Sequence, residues 1–382
     1  MIYLDNAATS WPKPPAVLAA LREFAEHEAA NPDRACHRMG IAAGKRVGQA
    51  RTGLAELLHA PDASRIAFTL NGTDALNMAV KGFLNDGDHV VTTTFEHNSL
   101  SRPLTGLERA GRIRVTRVGP RDDLTLSPDA VRRACGRDTR LVAVTAASNV
   151  FGVLNDVAGL AAAAHDRGAA ILVDAAQAVG SAAIDVAAAG LDMVAFPCHK
   201  GLFGPMGTGA LYVRPGLDLR TSREGGTGIR SEDATHPEEM PYRLEAGTPN
   251  AHGLAGLAAG LAFLRETGLQ RVREREQSLA RGFAQRLSGI PGVTVLNGRP
   301  GEGRTGIVTL RVAGLAAQEV AALLDGRYGI AVRAGLHCAP GAHKVLGSFP
   351  EGAVRVSFGF FNSDDDAESA ARAIAEIAGK GV

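Results

Sequence analysis

Residues 171–181, ILVDAAQAVGS, and 192–209, DMVAFPCHKGLFGPMGTG, decide the fold. Each opens with a short apolar run rich in β-branched residues and breaks at a polar turn, which reads as a buried strand ending at a loop. Asp174 closes the first run and Lys200 follows the second. Two such strands with a charged residue at each carboxyl end are what an α/β sheet offers a ligand.

Working outward, the same grammar repeats. Short apolar runs at Ile66–Thr69, His89–Thr93, Ile113–Val118, Leu141–Thr145, Ala170–Val173, Met193–Phe196 and Gly209–Val213 alternate with helical stretches near 73–85, 99–110, 127–135 and 157–167. That alternation predicts an α/β protein with a mainly parallel sheet wrapped by helices. The irregular passage 224–250, EGGTGIRSEDATHPEEMPYRLEAGTPN, is too long for a simple connector. Helical stretches at 251–266 and 269–288 then lead to strand-like runs at Gly306–Val312, Ile330–Ala334 and Ala353–Phe358 and an Ala-rich terminal helix. The expected organisation is a large domain over 16–250 and a smaller α+β domain built from 1–15 and 251–382.

Composition narrows the function. The 382 residues carry a net charge of +1 with no basic tract, which argues against a nucleic-acid partner and for a small molecule. No run of 18 apolar residues and no signal-peptide pattern at MIYLDNAATSWPKP lead to the expectation of a cytoplasmic protein without a membrane partner. Four widely spaced cysteines, Cys36, Cys135, Cys198 and Cys338, form neither a CxxC pair nor a zinc pattern, so no metal is expected. HExxH, GxSxG and a GxGxxG after the first strand are missing as well.

The chemistry-bearing residues fall at strand ends. An aspartate such as Asp174 keeps a pyridine nitrogen protonated and makes the ring an electron sink, while a lysine such as Lys200 forms a Schiff base with an aldehyde. Gly72 and Thr73 open a helix after a strand, where free amides and the helix dipole suit a phosphate, although a plain N-cap is the commoner use of such residues. His97 follows another strand and suits ring stacking or proton transfer, or serves as a loop histidine. Cys338 in VRAGLHCAP has Arg333 and His337 near in sequence, whose positive charge would favour its thiolate, although a buried, inert cysteine is the default for any single Cys. Arg355 alternates with apolar neighbours and carries a two-donor fork for a carboxylate, although an exposed strand arginine is the commoner reading of such a position.

Taken together and in order, YLDNAAT, NGTDALN, FEHNS, SNVFG, VDAAQAVG, HKGLFGPMGTG, RLEAGTPN and VRAGLHCAP resemble the class V aminotransferase superfamily, within it the cysteine desulfurases and selenocysteine lyases of the SufS-like branch. The resemblance spans nearly the whole chain. It implies fold type I with pyridoxal 5'-phosphate on Lys200, Asp174 at the ring nitrogen, His97 stacked on the ring and Gln177 at the phenolic oxygen. It further implies that Gly72, Thr73 and His199 hold the phosphate, with Thr248 reaching across a homodimer. Asn149 and Arg355 would bind the carboxylate of an amino-acid substrate, and Cys338 would take its sulfur as a persulfide and pass it to an acceptor protein. Selenocysteine lyase, another class V reaction such as epimerisation or transamination, and a non-catalytic scaffold are the alternatives. One departure stands out: Pro197-Cys198 precede His199-Lys200 where the family has Ser or Thr and then Gly, so one phosphate-binding hydroxyl is lost. Cys198 is thereby either a packing residue or a second thiol near the cofactor.

Overall fold

The computed structural model describes residues 1–32, 37–298 and 303–380. Cys36 lies outside the described residues. Seven strands form the central sheet in the order 66–69, 209–213, 193–197, 170–174, 139–145, 89–93, 114–118. The last five of these pair in parallel; strand Gly209–Val213 runs antiparallel to both of its neighbours. The inner strands are buried along nearly their whole length, Ala170 and Arg140 excepted, which is why they read as continuous apolar runs rather than alternating ones. Helix Gly72–Phe83 lies over one face, and helix Val157–His165 packs against strand Ala170–Asp174.

Two helices of the N-terminal region, Pro15–Glu23 and Arg38–Leu58, are absent from the expectation above. The second contains Gly40, Gly44, Gly48 and Gly53, and glycine lowers helix propensity. Tertiary packing overrides that cost. At Gly53 an added Cβ would lie 3.1 Å from Leu261 Cδ1, so the missing side chain lets helix Ala251–Thr267 approach closely.

A second sheet, ordered 333–335, 353–357, 307–312, 293–295, is antiparallel throughout. The run expected as one strand at Ile330–Ala334 serves two sheets. Ile330–Ala331 pairs in parallel with Ile2–Tyr3, and Arg333–Gly335 pairs with Ala353–Ser357. The N-terminus thereby joins this region, and Leu4 sits in its core with Leu310, Val354, Val356 and Ile374. A division at residue 250 assigns 251–267 to the small domain, whereas Leu254, Leu257, Leu261 and Leu264 of that helix pack into the core of the seven-stranded sheet.

Candidate active site

The carboxyl ends of the parallel strands converge on Lys200. Asp174 is the last residue of its strand, is 3 % exposed, and its Oδ1 accepts the Ala176 N–H at 3.0 Å. Burial raises the pKa of this carboxyl; the Ala176 N–H and the Lys200 charge oppose that rise. Burial lowers the Lys200 ammonium to about 8, partly offset by Asp174, with Arg355 and Arg333 adding to the fall. Each of these two groups thus acts on the charge of the other, Asp174 at the end of one strand and Lys200 just past the end of its neighbour.

Behind Asp174 lies Glu96, which the sequence reading left without a role. Its Oε1 accepts the Thr93 hydroxyl at 2.7 Å and the Thr145 N–H at 3.0 Å, and its Oε2 is buried without a partner. Burial pushes this carboxyl up to about 8, with Asp174 contributing in the same direction, so it is largely neutral at pH 7. The next residue, His97, caps helix Asn98–Arg109 by accepting the Ser99 N–H at Nδ1, 3.1 Å. A neutral ring with an accepting Nδ1 carries its proton on Nε2. Burial and the charges of Lys200, Arg333, Arg355 and Arg102 lower His97 to about 4, which keeps it neutral.

Ser99, also unforeseen, links His97 to the helix N-terminus: its Oγ lies 2.8 Å from His97 Nδ1 and 2.7 Å from Thr73 Oγ1. Asn71 is the N-cap of helix Gly72–Phe83, accepting the Asp74 N–H at 2.9 Å, so at this residue the plain capping use holds. Gly72 abuts the strand end: an added Cβ would lie 2.9 Å from Pro197 Cδ and 3.1 Å from Pro197 N. His199 Nδ1 is buried with no hydrogen-bond partner. The His199 carbonyl accepts the Lys13 ammonium at 2.7 Å and the Thr9 hydroxyl at 3.0 Å, so the N-terminal segment fixes the loop that carries Lys200.

At the opposite end, Arg355 is 1 % exposed and not a surface strand residue. Its Nη2 donates to Asp5 Oδ1 at 2.7 Å and its Nη1 to the Asn149 carbonyl at 3.2 Å, while Nε is buried and unpartnered. Asp5 lies in the YLDNAAT stretch, and only the fold reveals the guanidinium it meets. Asn149 Nδ2 donates to the His337 carbonyl at 2.7 Å, and Gln177 Nε2 to the Ala7 carbonyl at 2.8 Å. Cys338 is the exposed thiol among the described cysteines, with Arg333 Nη2 3.5 Å from its Sγ and its carbonyl accepting the Asn98 N–H at 2.7 Å. That last bond places it one residue from His97.

One expectation changes, and one alternative is decided. His337 supplies no positive charge to Cys338: its ring is buried against His343, and desolvation drives its pKa far down, leaving Arg333 as the neighbouring cation. Cys198 packs in the large core with its thiol pushed up to about 12 by burial, so it is no second nucleophile. Thr248 is exposed on the 224–250 loop, lining a cleft of about 110 Å³ with Gly207, Arg223 and Glu245 rather than the pocket around Lys200 of its own chain. A groove of about 950 Å³ lies between helices Arg38–Leu58 and Ala251–Thr267 and includes none of the residues singled out from the sequence. Among the described residues no cluster of His, Cys, Asp and Glu is arranged to hold a metal ion, and no helix is long and apolar enough to cross a membrane.

Residues 2–369 match the family model of class-V aminotransferases, and the chain belongs to that family. Its fold is fold type I. Within the family it is similar to cysteine desulfurases. It is 34 % identical to a probable cysteine desulfurase of Methanothermobacter thermautotrophicus, covering 100 % of this chain and 95 % of that protein. It is 37 % identical to a cysteine desulfurase of Klebsiella pneumoniae subsp. pneumoniae, over 89 % of this chain and 84 % of that one. The apo cysteine desulfurase of Thermococcus onnurineus NA1 superimposes with a TM-score of 0.93 at 34 % identity, covering 100 % of this chain and 95 % of that one.

Proposed function

We propose that this chain is a pyridoxal 5'-phosphate-dependent cysteine desulfurase that converts L-cysteine to L-alanine and holds the sulfur as a persulfide on Cys338. The observation that carries the reading is the exposed Cys338 thiol, tied through its carbonyl to the residue after His97, whose ring feels the charge of Lys200. The residues present fit the cofactor. An unpartnered buried His199 Nδ1, a glycine turn held against Pro197 and the N-terminus of helix Gly72–Phe83 suit a phosphate. Asp174 suits a pyridinium, the neutral His97 ring a stacking face, and the Gln177 amide a phenolic oxygen. When bound, the cofactor supplies an electron sink for the substrate's Cα.

The chain's own residues supply the rest. Arg355, prealigned by Asp5 and with Nε free, takes the substrate carboxylate together with Asn149. Lys200 Nζ, with its pKa near 8, exchanges a proton at Cα close to neutral pH. Cys338 Sγ, beside Arg333, attacks the substrate sulfur: an S–S bond forms, the Cβ–S bond breaks, its electron pair stays with carbon, and a proton completes alanine. No external oxidant is required, and a reductant or an acceptor protein removes the persulfide sulfur. We further propose a homodimer, in which the exposed Thr248 serves the partner's phosphate site, and a cytoplasmic setting. The test is direct. The purified protein should be yellow, lose its colour with borohydride, and release alanine and sulfide from cysteine under reductant. Cys338→Ala should stop sulfide release and Lys200→Ala should abolish the colour; cysteine turnover that survives Cys338→Ala would refute the mechanism, and selenide release alone surviving it would favour selenocysteine as substrate.

A further inference from the structure

The loop carrying Cys338 rests on a buried chain of side chains that the reaction above does not use. His337 Nε2 lies 3.2 Å from the Arg333 carbonyl oxygen, His337 Nδ1 lies 3.0 Å from His343 Nε2, and His343 Nδ1 lies 2.8 Å from Ser348 Oγ. All three side chains are buried. A carbonyl oxygen can only accept, so the first contact puts a proton on His337 Nε2 and makes Nδ1 an acceptor. His343 must then donate from Nε2, and the Ser348 hydroxyl must donate to His343 Nδ1. Direction is fixed from one end to the other, and it holds only with both rings neutral. Desolvation lowers both imidazoles well below their ordinary values, in keeping with that order.

What this chain holds is a strained turn. His337 and Cys338 have φ of 51° and 56°, two consecutive non-glycine residues in the left-handed region. Such a conformation costs free energy and persists where the surroundings over-determine it, usually where function needs it. Here the carbonyls of both residues are pinned, His337 by Asn149 Nδ2 and Cys338 by the Asn98 N–H, each at 2.7 Å. The His337 ring is fixed from below by His343. Helix Pro340–Val345, which carries His343, itself seats tightly on the turn before Glu96: an added Cβ at Gly341 would lie 1.8 Å from the Thr94 carbonyl oxygen.

We infer that His343 is a positioning residue for the Cys338 thiol, acting through His337 to hold the 337–338 turn in the left-handed form that presents Sγ to the substrate's sulfur. The inference rests on Cys338 being the sulfur acceptor. It predicts that the chain of hydrogen bonds, rather than the bulk of the ring, is what matters. Gln can reproduce both contacts, donating toward His337 and accepting from Ser348; Phe fills the space and makes neither.

The experiment uses holoenzyme of the parent, His343→Gln, His343→Phe and the milder Ser348→Ala. It measures kcat and KM for cysteine, the spectral change of the bound cofactor on mixing with cysteine, and the iodoacetamide alkylation rate of the Cys338 peptide by mass spectrometry. His343→Phe should lower kcat by about 10²-fold with KM little changed, as expected for a reacting atom displaced by about 1 Å. Its cofactor spectral change should stay normal while Cys338 alkylation departs from the parent rate, and His343→Gln should restore both values. Should His343→Phe fail to fold, Ser348→Ala carries the same expectation in weaker form. Parental kcat and alkylation rate in His343→Phe and Ser348→Ala, or equal damage in the Gln and Phe variants, would overturn the inference. If Cys338→Ala keeps its cysteine turnover, the sulfur-acceptor reading fails separately, and the alkylation rates alone then decide whether His343 positions this thiol.

Discussion

Gly72→Ala isolates the turn proposed to hold the phosphate. In the folded chain the new Cβ would stand 2.9 Å from Pro197 Cδ and 3.1 Å from Pro197 N, about half an ångström inside ordinary contact. A proline ring on a buried strand end cannot swing away, so the helix N-terminus must move instead. Without cofactor that movement is cheap, and the better helix propensity of alanine, up to about 1 kcal/mol, offsets part of it. With the phosphate bound the turn has to return, and overpacking of this kind costs about 1–3 kcal/mol. The strain therefore falls on binding, and the Kd for pyridoxal 5'-phosphate should rise by about 5- to 150-fold. Titrating apoprotein with the cofactor by fluorescence reads the Kd, and a thermal melt of the apoprotein should show little change. Pro197→Gly in the same chain should recover part of the loss, a non-additivity expected of residues in contact. An unchanged Kd in Gly72→Ala, or strictly additive effects of the two substitutions, would refute the assignment of this turn to the phosphate.

Two further outcomes follow from burial. Cys198→Ser should leave turnover intact, and the Cys198 thiol should resist alkylation in the native protein at pH 8, because burial holds it up near 12; modification of Cys198 at a rate similar to Cys338 would contradict its place in the core. Lys200 binds its proton less tightly folded, at about 8, than unfolded, where the ordinary value is 10.5. Between these values the unfolded chain holds more protons, so apoprotein stability from this group rises as pH climbs from about 8 to 10.5, with a slope of at most about 1.4 kcal/mol per unit. Lys200→Met should remove that contribution; urea unfolding of both apoproteins across the range measures it, and parallel pH profiles would show that the amine is not desolvated.

Sequence by itself determined the layout of the sheet and which residue types stand at its strand ends. Seven apolar runs marked the sheet because inner parallel strands are buried on both faces and cannot alternate. Asp174, Lys200 and His97 were legible because strand ends are where an α/β sheet places its ligands, and a residue type at such an end limits the chemistry. Local pattern does not carry partners or burial. The Asp5–Arg355 pair joins positions 350 residues apart, and the direction of Gly209–Val213 depends on which neighbours it meets. Helix Arg38–Leu58 was invisible because its glycines disfavour a helix, and the close approach of helix Ala251–Thr267 at Gly53 cannot be read from local sequence. Tertiary structure also decided the charge states. Neutral Glu96 and His97, the inert Cys198 and the His337–His343–Ser348 chain beneath Cys338 all follow from the loss of water around groups that in sequence look like ordinary polar residues.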